Sequence, residues 1–246
     1  MATPIDDVLD DLRLEYERIE SILASVTAAQ WTTPSAAEGW TIGDTVLHLA
    51  VTEEGVATTL ADPDASWNHR DRPLDDVIDD QVRAIEASPT EIFDRWRAAR
   101  RVSLRALATA DPAVSVRWAA APLRPRTLAT TRLAEHWAHA LDITEPLAID
   151  YPDTDRLRHV AWLGHATLPY AMEIAGLEVV SVHCRLSAPS GSVHEYGPSD
   201  ARAAIIGGMG AFCRVGARRL SALDSGLSAT GPGAADALRV LRNYAA

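Results

Sequence analysis

Arg132-Leu-Ala-Glu-His-Trp-Ala-His-Ala-Leu-Asp-Ile143 is the stretch from which the rest of the chain is read. It reads as helix, and it places Glu135 and His139 four residues apart. On a helix such residues share a face, with Cβ atoms about 5–6 Å apart. A pair of this kind can grip one metal ion when a third ligand arrives from another element. His48, within Trp40-Thr-Ile-Gly-Asp-Thr-Val-Leu-His-Leu-Ala50, is the candidate third ligand. Two imidazoles and a carboxylate suit zinc, and a catalytic zinc site keeps three protein ligands plus one open position.

Other residues of the stretch compete for these roles. His136 forms an i, i+3 pair with His139, yet it sits about 100° around the helix from Glu135, so the two do not readily face one ion. Asp142, three residues beyond His139, is placed to accept the second ring N–H of a ligating histidine. A fourth protein ligand, from His136 or Glu54, would close the site and turn it into a structural tie.

Composition narrows the function classes. All 23 basic residues are arginine. Without lysine there is neither a Schiff-base lysine nor a P-loop lysine. The net charge of −11 argues against a nucleic-acid partner, because phosphate binding needs a basic face. No apolar run approaches the roughly 20 residues of a membrane helix, so no membrane association is expected. The two cysteines, Cys184 and Cys213, lack CxxC spacing and are expected to be buried thiols in a cytoplasmic protein.

Charge and glycine both shift near residue 150. The first part carries 26 acidic and 14 basic residues, the second 8 and 9, and 11 of the 14 glycines lie in the second. Two regions are therefore expected: a helical bundle over 1–150 and a small α+β domain over 151–246, with the boundary in Pro146–Asp153. In the first, Thr3 with Pro4 opens a helix that ends near Thr27 and carries Ile5, Val8, Leu12, Ile19 and Leu23 as its apolar stripe. Thr41 caps a second helix, with Asp44 at the capping-box position, running to about Leu60. A loop with Pro63, Trp67 and Pro73 follows, then Asp75–Ile85 and Thr90–Ala108, either as two helices or as one long helix broken at Ser88-Pro89. After a proline-marked connection, Thr127–Ile143 completes a four-helix bundle, a scaffold that commonly holds metals between facing helices. In the second region, Thr154–Ala175 reads as helix and Glu178–Ala188 as a strand, with Val193–Tyr196 returning after the Pro189-Ser-Gly turn. A helix is expected from Ala201 and another over Phe212–Leu220, then a short strand at Leu227–Thr230 and a last helix over Ala234–Tyr244. The Gly207-Gly-Met-Gly210 run follows no clear strand and is not read as a phosphate loop.

The His48 helix preceded by Trp40, the Glu135-x-x-x-His139-x-x-Asp142 helix and the smaller α+β region together resemble the mycothiol-dependent maleylpyruvate isomerase family of the DinB-like metal-binding superfamily. Trp137-Ala-His139, Asp155-Arg-Leu-Arg-His-Val160, Ala188-Pro-Ser-Gly191, Tyr196-Gly-Pro198 and Phe212-Cys213 with Arg218-Arg219 resemble an actinobacterial metal-binding branch whose reaction is not settled. The resemblance implies zinc, or another divalent metal, held by His48, Glu135 and His139, with mycothiol as a thiol cofactor. It also implies a sterol-carrier-like second domain that closes the substrate cleft. The expected function is thiol-dependent isomerisation or S-transfer on a small-molecule substrate. The alternatives are a metal-dependent isomerase, cyclase or lyase that uses no thiol, and a non-catalytic, metal-stabilised ligand-binding protein. Anionic substrates need cations in so acidic a chain, which nominates Arg218 and Arg219; Trp40 and Tyr170 are candidates to wall the cleft. The oligomeric state is not readable from the sequence.

Overall fold

The structure is a computed structural model that describes residues 5–62, 74–118 and 121–243. The chain divides into two compact units between Tyr151 and Pro152. The expected cap at Thr3 with Pro4, the loop with Pro63, Trp67 and Pro73, and the end of the last helix at Tyr244 lie outside the described residues. Among those described, no helix is long and apolar enough to cross a membrane.

The first unit is a four-helix bundle of α1 (Ile5–Leu23), α3 (Ile42–Ala61), α5 (Pro89–Thr109) and α6 (Pro125–Thr144), with short α2 (Ala28–Trp31) and α4 (Leu74–Arg83) in the connections. Helix starts follow local chemistry. Thr27, Thr41 and Ser88 each cap a helix with a reciprocal capping box, through Gln30, Asp44 and Glu91 respectively. Pro89 and Pro125 occupy first-turn positions, where the missing N–H costs nothing. Val8, Leu12, Ile19 and Leu23 of α1 are fully buried, as are Leu49 and Val56 of α3, Trp96 of α5 and Leu128 of α6. Each such aliphatic side chain contributes about 1.5–3 kcal/mol by leaving water.

α6 ends for a reason visible in the sequence. The Asp142 carbonyl would pair with the N–H of residue 146, which is Pro146 and has none. That oxygen instead accepts the Ala36 N–H at 2.9 Å, which fastens the loop before α3 to the end of α6.

The second unit carries α7 (Leu157–Ala166), α8 (Leu168–Ile174), α9 (Met209–Gly216) and α10 (Ala234–Val240) around a four-stranded sheet of order β2-β1-β3-β4. β1 (Val182–Ser187) pairs antiparallel with β2 (Val193–Tyr196) as the expected hairpin, and β3 (Ala203–Gly208) pairs antiparallel with β4 (Ser228–Thr230). β3 corrects the sequence reading. The stretch after Ser199 is not a helix from Ala201 but a strand parallel to β1, with Ala203 and Ile205 buried. Its alanines favour helix, and tertiary pairing with β1 overrides that weak preference. The Gly207–Gly210 run therefore spans the end of β3 and the first residues of α9, without the lysine of a phosphate loop. The expected helix over Phe212–Leu220 is α9, which starts earlier and stops at Gly216.

Candidate metal centre

His48 lies on α3, two turns beyond the Thr41 cap; Glu135 and His139 lie on α6. The fold brings the three donor groups together, with one ligand atom from each residue and all of these atoms within 4.8 Å of one another. Glu135 Oε2 is the hub, 3.3 Å from His48 Nε2 and 3.5 Å from His139 Nε2. A tetrahedral ion with bonds of about 2.1 Å spaces its ligands about 3.4 Å apart, which the two spacings to Glu135 match, and two imidazoles with a carboxylate suit zinc chemically.

The electrostatics of the three groups differ. Burial pulls His48 down to about 4, against the pull of Glu135, so its imidazole is neutral at pH 7. Burial opposes the charge on His139 too, but Asp142 and Glu135 outweigh it and raise its affinity for a proton above the ordinary value. Glu135 is also opposed by burial, yet hydrogen bonds from His139 and His48 and the charges of His139 and Arg132 hold its carboxyl well below the usual range.

Asp142 is buried, and its carboxylate lies 2.9 Å from His139 Nδ1. A carboxylate can only accept, so Nδ1 carries a hydrogen toward Asp142, and Nε2 is the ring atom turned to Glu135. No such support reaches His48, whose Nδ1 is buried without a hydrogen-bond partner among the described residues. Trp40 packs over both rings, with centroids 5.0 Å from His48 and 6.2 Å from His139.

His136 faces away into the bundle. Its Nε2 accepts the Trp96 indole N–H at 3.1 Å, and its Nδ1 lies 2.9 Å from the Arg132 carbonyl. Both ring nitrogens are thereby committed, and burial pulls the ring down to about 3. Glu54 is likewise engaged elsewhere, in a two-pronged pair with Arg95 at 2.8 Å for each contact.

A buried polar network beside the site was not apparent from the sequence. Arg132 Nε donates to Glu53 at 2.8 Å and its Nη2 to Thr52 Oγ1 at 2.7 Å, while Ser103 donates to the second Glu53 oxygen. It joins the two donor-bearing helices, α3 and α6, to α5. The missed signal is positional. Glu53 falls on the core stripe Ile42, Val46, Leu49, Glu53, Val56, and a charge on such a stripe demands a buried partner.

Tyr170, Arg218 and Arg219 belong to the second unit. Tyr170 is on α8. Arg218 is exposed and holds a left-handed φ of 63° just past α9, and the Arg219 side chain turns back to the Ala217 carbonyl.

The family profile of the mycothiol maleylpyruvate isomerase N-terminal domain matches residues 12–144. The chain belongs to that family. Uncharacterised proteins from two strains of Mycobacterium tuberculosis are 34% identical to it over 224 residues, covering 87% of this chain and 86% of theirs. The crystal structure of the mycothiol-dependent maleylpyruvate isomerase superposes with a TM-score of 0.63 over 93% of both chains at 17% identity. A histidine-to-alanine mutant of that isomerase gives the same TM-score at 15% identity. At such identities these two establish the shared fold: a DinB-like bundle followed by an α+β unit.

Proposed function

We propose that this family member is a cytoplasmic, metal-dependent enzyme of small-molecule metabolism, an isomerase or S-transferase that uses mycothiol or a related low-molecular-weight thiol. The observation that carries the reading is the convergence of His48, Glu135 and His139 from two helices, with Asp142 behind His139. The family supplies the thiol and the isomerase chemistry; the donor set supplies the case for zinc or another divalent ion.

Held by these side chains, a divalent ion offers a Lewis-acid position at which a thiol loses its proton at neutral pH. The protein's own contribution is preparation. His48 stays neutral through burial, so no imidazolium charge has to be discharged before it can serve as a ligand. Asp142 fixes the His139 tautomer and ring direction. Glu135 brings the one negative charge of the donor set, and Trp40 covers one side of both imidazoles.

The test is metal analysis of protein purified without chelator, together with isomerisation of maleylpyruvate assayed with and without mycothiol. Roughly one zinc per chain is expected, lost in His48→Ala, Glu135→Ala and His139→Ala alike. A folded wild type that takes up no divalent metal would sink the metal reading. Turnover indifferent to added mycothiol would sink the thiol reading.

A further inference from the structure

The two histidines of the donor set share one aromatic neighbour whose orientation is held from a distance. The backbone around Trp40 is tied down: the Ser35 N–H donates to its carbonyl at 2.8 Å and its own N–H donates to Ala37 at 3.1 Å. The loop is anchored to α6 by the Ala36 N–H on the Asp142 carbonyl at 2.9 Å. None of these bonds sets the rotation of the indole. Its single polar atom, Nε1, donates to Asp79 Oδ1 at 2.8 Å, from a helix 39 residues further along the chain. The other Asp79 oxygen accepts Arg83 Nε at 2.7 Å, and Arg83 Nη2 reaches back to the Gly39 carbonyl at 3.4 Å. α4 and the loop before α3 are thereby closed into one circuit around the indole.

We infer that Asp79 is a positioning residue: through the Trp40 N–H it holds the indole against His48 and His139, and so sets the ring orientation and the affinity of the metal position. This rests on the metal reading proposed above. The physical link is that metal affinity depends on how firmly ligating imidazoles are oriented, and an indole packed over both rings limits their tilt and keeps water from one side. Asp79 does this work without touching a donor atom.

Asp79 is partly exposed on α4, so its variants are expected to fold, as melting curves would verify. Asp79→Ala frees the indole; Asp79→Asn keeps an acceptor oxygen for it while losing the charge; Trp40→Phe keeps a ring but no N–H. Three readouts apply: zinc affinity by competition titration, the visible spectrum of the cobalt-loaded protein, and the 19F resonance of Trp40 in metal-free protein labelled with fluorotryptophan. Asp79→Ala is expected to weaken zinc about tenfold, the lower end of losses seen when support around a ligand is removed. It should also alter the cobalt spectrum and shift the Trp40 resonance. Asp79→Asn should restore all three. Trp40→Phe should match Asp79→Ala in affinity, and the double variant should lose nothing more. The inference is overturned if Asp79→Ala leaves affinity, spectrum and resonance unchanged, or if Asp79→Asn is as impaired as Asp79→Ala. A wild type that binds neither zinc nor cobalt would instead remove the metal reading, and the 19F shift would still decide whether Asp79 orients Trp40.

Discussion

Asp142 holds His139 through its side chain, 2.9 Å from Nδ1, and holds the Trp40 loop through its main chain, which accepts the Ala36 N–H at the same distance. One residue thus orients a donor imidazole and the loop that covers it. Asp142→Ala is expected to lower zinc affinity by about 10–100-fold. Asp142→Asn, which still offers an acceptor oxygen to Nδ1–H, should lose less. Competition titration against a chromophoric chelator checks both, and equal affinity in Asp142→Ala and wild type would contradict the assignment.

The Glu53–Arg132 pair is almost wholly removed from solvent, with side-chain exposures of 0% and 2%. Removing one partner strands a buried charge, at a cost of about 3–5 kcal/mol. Glu53→Ala and Arg132→Ala should therefore sharply lower the urea midpoint. Arg95→Ala, which breaks the far more exposed Glu54–Arg95 pair, should cost under about 1 kcal/mol. Similar losses in the two cases would refute the contrast.

Stability should fall on acidification, and the direction follows from His136. Its folded value, about 3, lies below the ordinary 6.5, so between those limits the unfolded chain takes the proton and the folded one does not. Its contribution is complete above pH 6.5 and is lost progressively below. His48, held at about 4, acts in the same direction. Glu53, lowered by Arg132 and His136 in spite of burial, adds a further loss as the pH drops through its depressed folded value. His139 has the opposite sign, because its raised folded value gives stability that is lost as the pH rises through that value. Each group contributes up to about 1.4 kcal/mol per pH unit. Urea titrations from pH 7.5 to 4.5 should show falling stability. His136→Gln, which retains a hydrogen-bond acceptor for Trp96, should flatten that slope, and an unchanged slope would exclude His136 as a source.

In the second unit, Asn243 is buried between α7 and α9 and donates to the Cys213 carbonyl at 2.9 Å. A Cβ on Gly216 would meet its Oδ1 at 2.1 Å, and one on Gly164 would meet the same atom at 2.7 Å. Because Asn243 is also tied by its own N–H to the Gly216 carbonyl at 3.0 Å, it has little room to yield. Gly216→Ala should cost about 1–3 kcal/mol, read as a lowered melting temperature. Gly226→Ala, unlike Gly216→Ala, places a side chain at a positive φ, and it meets nothing within 4 Å, so any loss there reports backbone strain alone.

The sequence alone determined the parts that depend on neighbours along the chain. Thr41 with Asp44 marks a helix start because capping is local chemistry, and the apolar stripe of α1 declares its buried face by spacing. The Glu135 and His139 pair was legible for the same reason, since a helix places residues four apart side by side. Only the tertiary structure decided the rest. It brought His48 to that pair across 87 residues and gave Trp40 its distant anchor in Asp79. It turned Ala203–Gly208 into a strand by offering β1 as a partner, against its local helical preference. It also set adjacent residues to opposite uses: Glu53 lies inside with Arg132 and Glu54 outside with Arg95, while Glu135 joins the donor set and His136 is spent on Trp96. Neighbours on a helix point about 100° apart, so what each one meets is settled by the elements packed around it.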